Sequence, residues 1–101
     1  MTEQVAQVTE LAEGGSKVVT VKGREIALFK VGGKIYALDN TCPHRGGPLG
    51  EGDLQGNIVT CPWHAWQFDV TNGSCVTVPA SRQKTYPVKV EGDRVSVELG
   101  D

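Results

Sequence analysis

The chain has 101 residues, a formal net charge of −2, 13 glycines and three cysteines. That length makes one domain, residues 1–101, able to bury roughly two-thirds of its unfolded surface. The charge leaves no electrostatic footprint for nucleic acid, no apolar run is long enough to cross a membrane, and an odd number of cysteines is not a disulfide framework.

The first sixteen residues carry weak patterning, and a short edge strand is expected there. The opening MTEQVAQVTE has no basic stretch followed by an apolar one, so no secretion signal is expected and a reducing cytoplasm is the natural home. Lys17 to Val21 is rich in β-formers and ends at Lys22-Gly23. Glu25 to Val31 and Lys34 to Asp39 flank Gly32-Gly33, a strong hairpin signal. Asn57 to Thr60 is a short β-branched run. Trp66 to Val70 leads to a second turn at Asn72-Gly73, which places Cys75 on a following strand. Tyr86, Val88 and Val90 alternate with polar residues and proline, as Val95, Val97 and Leu99 do with polar residues, so each run reads as a strand burying one face. Glu91-Gly92-Asp93-Arg94 joins these two. The expectation is an all-β chain: a small barrel or sandwich base, about 1–39 and 82–101, carrying an inserted lobe at about 40–81.

That lobe holds both histidines and two of the cysteines, as Cys42-Pro43-His44 and Cys61-Pro62-Trp63-His64. Each pair offers one thiolate and one imidazole from a short loop. Two sulfurs and two nitrogens suit a tetrahedral zinc site. They equally suit a binuclear iron–sulfur centre in which two thiolates hold one iron and two imidazoles the other. The order Cys, His, Cys, His, with one of each per loop, matches the binuclear centre better than the usual zinc-finger order. Gly46 and Gly47 permit tight turns, and Pro43 and Pro62 stiffen the loops.

The run Cys42-Pro43-His44-Arg45-Gly46-Gly47-Pro48-Leu49, then Cys61-Pro62-Trp63-His64, Phe68-Asp69 and Thr85-Tyr86-Pro87-Val88-Lys89-Val90, closely resembles the Rieske iron–sulfur family. The resemblance implies a fold of stacked antiparallel sheets with one [2Fe–2S] cluster at the tip of a lobe. It implies that Cys42 and Cys61 bind the inner iron and that His44 and His64 bind the outer iron through Nδ1. Val78-Pro79-Ala80-Ser81 resembles the family's shielding loop. The respiratory branch carries a disulfide at the positions of Gly47 and Trp63, and serine and tyrosine hydroxyls at those of Trp66 and Phe68; this chain has neither. A hydrogen bond to a charged centre contributes about 1.5–3 kcal/mol. About 1.4 kcal/mol is ~59 mV in a one-electron couple. The expected potential therefore sits in the lower half of the roughly −150 to +300 mV Rieske span. Ala65 stands where most ferredoxin-type relatives have glycine, a strained choice if φ is positive there.

The function implied is that of a one-electron carrier, not an enzyme in itself. It would take electrons from a flavin-dependent reductase and pass them to an oxygenase. The same residues resemble the small subunit of an assimilatory nitrite reductase, whose large subunit would then be the acceptor. A zinc-stapled interaction module is the alternative of another class. The chain shows no nucleophile–base pair and no phosphate loop. Beside the ligands, Arg45, Trp63 and Trp66 suit docking or packing, with Trp63 expected at the surface and Trp66 more buried. Cys75 reads as a small buried hydrophobe, Asn72-Gly73-Ser74 as a turn rather than a glycosylation site, and Glu51 and Asp53 as solvated charge.

Overall fold

A turn with two positive φ angles, 60° at Gly32 and 80° at Gly33, closes the central hairpin. Both values are open to glycine at no steric cost. The expected hairpin joins Arg24–Val31 (β3) to Lys34–Asp39 (β4), with Phe29 opposite Tyr36. The molecule, a computed structural model, is described for residues 2–41, 47–63 and 65–99. Its other strands are Thr2–Gln7 (β1), Ser16–Val21 (β2), Asp53–Gln55 (β5), Ile58–Thr60 (β6), Gln67–Asp69 (β7), Thr85–Tyr86 (β8), Val88–Glu91 (β9) and Arg94–Glu98 (β10). They form three antiparallel sheets, ordered β1-β10-β9, β2-β3-β4-β8 and β5-β6-β7.

The middle sheet is buried on both faces. Along β3 the run Ile26-Ala27-Leu28-Phe29 is fully enclosed. The pleat sends alternate residues to opposite sides. Ile26 and Leu28 join Val95, Val97 and Leu99 in one core, while Ala27 and Phe29 join Leu38, Val59, Phe68 and Val70 in the other. The base is therefore the stack of sheets that the family resemblance implies, not a barrel. The third sheet, residues 53–69, rests on the second core and lies wholly within the inserted segment. Its first strand, β5, follows a short 3₁₀ turn at Leu49–Glu51 and had no distinct sequence signal.

Two expectations need correction. Tyr86 to Val90 is not one strand with one buried face. Pro87 has no N–H to give a ladder, and the chain changes sheets there: β8 pairs with β4, β9 with β10. The Pro87 carbonyl still accepts a hydrogen bond from Glu98 N–H at 2.9 Å. Val90 is consequently 47% exposed although Tyr86 is buried. Cys75 is not on a strand either. It meets Phe68 only as an isolated bridge after the turn at Gly73. The edge strand expected near the N-terminus is β1, paired with β10.

Glu13 ties the central turn to the chain before β2. Its carboxylate accepts the N–H groups of Gly32 at 2.6 Å and Gly33 at 2.9 Å. These bonds, Gly33's first and then Gly32's, with help from the Lys30 charge, hold its pKa below the ordinary carboxylate value. A lowered folded-state pKa gives stability that is complete above the unfolded value and lost as pH falls through the folded one. Glu13→Gln should thus lower the urea midpoint at neutral pH. The gap to the unsubstituted protein should narrow on the acid side of the carboxylate range; a gap that stays constant with pH would contradict this role.

Candidate metal centre

The second Cys/His loop grows directly from β6. Cys61 follows Thr60 and is 1% exposed, in the core with Val59 and Phe68. Both of its backbone polar groups are bonded across the loop. Its N–H donates to the Trp66 carbonyl at 2.8 Å, and its carbonyl accepts the Ala65 N–H at 3.0 Å. The chain thereby reverses within residues 61–66 and re-enters the sheet as β7. The reversal is completed at Ala65, whose φ is +62°, so the left-handed backbone anticipated for that position is present. Pro62 and Trp63 point outward, and Trp63 is 64% exposed. Trp66 is half-buried and packs on the second core, its ring centroid 6.5 Å from that of Phe68. The two tryptophans divide as expected.

The first loop leaves β4 through Asn40 and Thr41 and returns at Gly47. An isolated bridge between Thr41 and Pro48 brings its two ends together. Cys42, His44, Arg45 and Gly46 lie outside the described residues, as does His64 in the second loop. What is described is how closely the loops approach. A Cβ on Gly47 would stand 2.7 Å from the Cys61 sulfur and 3.2 Å from Trp63 Cβ. Only glycine permits that approach with these neighbours in place. The positions of Gly47 and Trp63, which carry the disulfide in the respiratory branch, are thus side by side here without one.

A third segment lies along the second loop's exit strand. Val76 N–H donates to the Gln67 carbonyl at 2.7 Å, and the Gln67 N–H donates to Thr77 Oγ1 at 2.9 Å. The chain then turns through Val78-Pro79-Ala80-Ser81, closed by Ser81 N–H to the Val78 carbonyl at 2.9 Å. Cys75, buried as expected, accepts the Val78 N–H on its sulfur at 3.3 Å.

A family model for the Rieske [2Fe-2S] domain matches residues 2–91. The chain belongs to the Rieske family. It is 45% identical, over 89% of its own length and 88% of the relative's, to the ferredoxin component of a naphthalene 1,2-dioxygenase system from Pseudomonas aeruginosa. Among solved structures, the ferredoxin of carbazole 1,9a-dioxygenase from Nocardioides aromaticivorans IC177 has a TM-score of 0.89 and 28% identity, with 96% of each chain covered. A ferredoxin within a complex of oxygenase and ferredoxin of carbazole 1,9a-dioxygenase has a TM-score of 0.88 and 28% identity, over 95% of this chain and 91% of that one. Membership decides the choice between zinc and iron–sulfur: the cofactor of a Rieske domain is a [2Fe–2S] cluster. The described residues fit such a group. The Cys61 thiol is enclosed in the core and Gly47 of the other loop passes beside its sulfur, so a sulfur donor stands where the two loops meet.

Sequence reasoning passed over two residues at this site. Asn40 and Gln83 are the buried polar side chains among the described residues, at 3% and 6% exposure. Nothing in their sequence context separates them from solvated amides.

Ala65→Gly should stabilise the Rieske protein by about 1 kcal/mol, because a left-handed residue with a Cβ carries steric strain. Thermal or urea unfolding measures this, and an unchanged or lowered midpoint would show that Ala65 is unstrained.

Proposed function

We propose that this chain is a Rieske-type ferredoxin that receives one electron at a time from a flavin-dependent reductase and delivers it to the terminal oxygenase of a ring-hydroxylating system. Cys42 and Cys61 would hold one iron, and His44 and His64 the other. The observation that carries the reading is the approach of Gly47 to the Cys61 sulfur, which sets the two ligand-bearing loops against each other. The bound cluster supplies a one-electron couple. The chain supplies the rest: it keeps the Cys61 thiol out of water, fixes the loop backbone through the Ala65 and Trp66 bonds, and presents Trp63 to a partner. The relatives named as dioxygenase ferredoxin components, and the carbazole dioxygenase complex of ferredoxin with oxygenase, favour an oxygenase as acceptor.

The base at about 1–39 and 82–101 and the lobe at about 40–81 act as one domain, the lobe carrying the ligands. A cytoplasmic setting suits the odd number of cysteines and the free, buried Cys75. No helix among the described residues is long and apolar enough to cross a membrane.

Trp63 is large, aromatic and next in sequence to a ligand, as a docking hot spot should be. Reduced protein mixed with a naphthalene-type oxygenase should be reoxidised as the oxygenase is reduced. Trp63→Ala should raise the protein concentration needed for half-maximal transfer by on the order of tenfold, with the potential unchanged. Failure of the unsubstituted protein to pass electrons to any such oxygenase would refute the assignment. Protein-film voltammetry should place the potential in the lower half of the roughly −150 to +300 mV range; a value near the top would refute the donor-poor reading of Trp66 and Phe68.

A further inference from the structure

The first cluster loop is held at both ends by two buried amides. Gln83 sits on the segment between the Val78–Ser81 turn and β8. Its Nε2 donates to two backbone carbonyls on the way into the loop, those of Asp39 and Thr41, each at 2.7 Å. Its Oε1 accepts the N–H of the next residue, Lys84, at 3.0 Å. Its own N–H donates to the Gly73 carbonyl at 2.8 Å, and a Cβ on Gly73 would collide with the Gln83 carbonyl oxygen. Gln83 therefore stands on the tip of the β7 turn and reaches up to the loop's entrance.

Asn40 does the complementary work at the exit. Its Oδ1 accepts the Gly50 N–H at 2.7 Å, and its backbone carbonyl accepts the Leu49 N–H at 2.8 Å. Its Nδ2 donates to Glu25 Oε1 on β3 at 3.3 Å, and its N–H donates to the Glu25 carbonyl at 2.9 Å. A Cβ on Gly50 would collide with Val18 and stand 2.9 Å from Asn40 Oδ1, so the exit is pressed against β2 as well. Among the described residues, every polar atom of the two amide heads has a partner except one hydrogen of Asn40 Nδ2. Buried amides satisfied in this way are confined to one geometry, since any other leaves donors or carbonyls unpaired.

We propose that Asn40 and Gln83 are positioning residues for the cluster: together they fix where residues 42–46 begin and end, and so set how long the cluster is retained. The proposal rests on the reading that Cys42 and His44 are ligands. Neither amide touches the cluster in this account; both act through the backbone that carries the ligands. A loop fixed at both ends keeps its thiolate and imidazole near the metal after a transient bond break, and a loose one does not.

The test is the rate at which a chelator in excess bleaches the visible absorbance of the purified holoprotein, well below its unfolding temperature. Gln83→Met keeps the side chain's volume and removes both donors. It should bleach about tenfold faster or more, as expected when two buried carbonyls lose their partners. Asn40→Asp keeps the acceptor for Gly50 but sets a carboxylate against Glu25, and should also bleach faster. Adding Glu25→Gln restores the lost hydrogen bond between positions 40 and 25 with donor and acceptor exchanged, and should return the rate to within about twofold of the unsubstituted protein. A merely structural role would lower the melting temperature of the variants without speeding bleaching, and bleaching within about twofold of the unsubstituted rate in both single variants would overturn the proposal. If the unsubstituted protein holds no iron–sulfur chromophore, the ligand reading itself fails. The clasp is then judged on the apoprotein by amide exchange at Gly50, which Asn40→Ala should accelerate tenfold or more; unchanged exchange there would overturn it.

Discussion

The rest of the molecule depends on the burial of both faces of the middle sheet. Ile26 and Leu28 face one core, and Ala27 and Phe29 face the other, all fully enclosed. Complete burial of a large apolar side chain contributes about 1.5–3 kcal/mol, and Phe29 and Leu38 of the second sheet pack in one core with Val59 and Phe68 of the third. Strand β6 of that third sheet runs directly into Cys61. A residue that directly follows a strand in a packed core inherits the rigidity of that core, and a site held by such an element is more exact than one on a free loop.

From that anchor the site is assembled by backbone approach. The second loop closes on Cys61 through Ala65 and Trp66, at the cost of one left-handed alanine. Strain of this kind persists where surrounding contacts over-determine it, and here the packed Cys61 and the start of β7 do so. The first loop reaches the second through Gly47, while Asn40 and Gln83 hold its ends to β3 and to the tip of the β7 turn. An electron carrier benefits from such bracing, because ligands that barely move between oxidation states leave little to reorganise. Among the described residues, Trp63 on the second loop and Val76 along its exit strand are exposed.

Much of this is legible in the sequence itself. Gly32-Gly33 announced the central hairpin because its turn needs two positive φ angles, and Val95, Val97 and Leu99 announced a buried face because their alternation has no other use. The candidate ligand set, Cys42, His44, Cys61 and His64, is read from residue type and order. Other features were hidden for physical reasons. The exchange of sheets at Pro87 is invisible because alternation continues through it, whereas the hydrogen bonds change partner. Strand β5 is three residues long and too polar to show a period. Asn40 and Gln83 are buried by what folds over them from distant parts of the chain, so a local pattern carries no trace of them. The positive φ at Ala65 could be anticipated only through the family, since alanine itself argues against it.

The central claim is that both Cys/His loops close on one cluster and that both imidazoles bind it. The chain has only two histidines, so electron–nuclear double resonance on the reduced protein, with nitrogen-15 introduced in histidine alone, tests that claim without ambiguity. The account predicts a rhombic signal coupled to two nitrogen-15 nuclei. A signal coupled to one or none, or a colourless protein with no such signal, would contradict it.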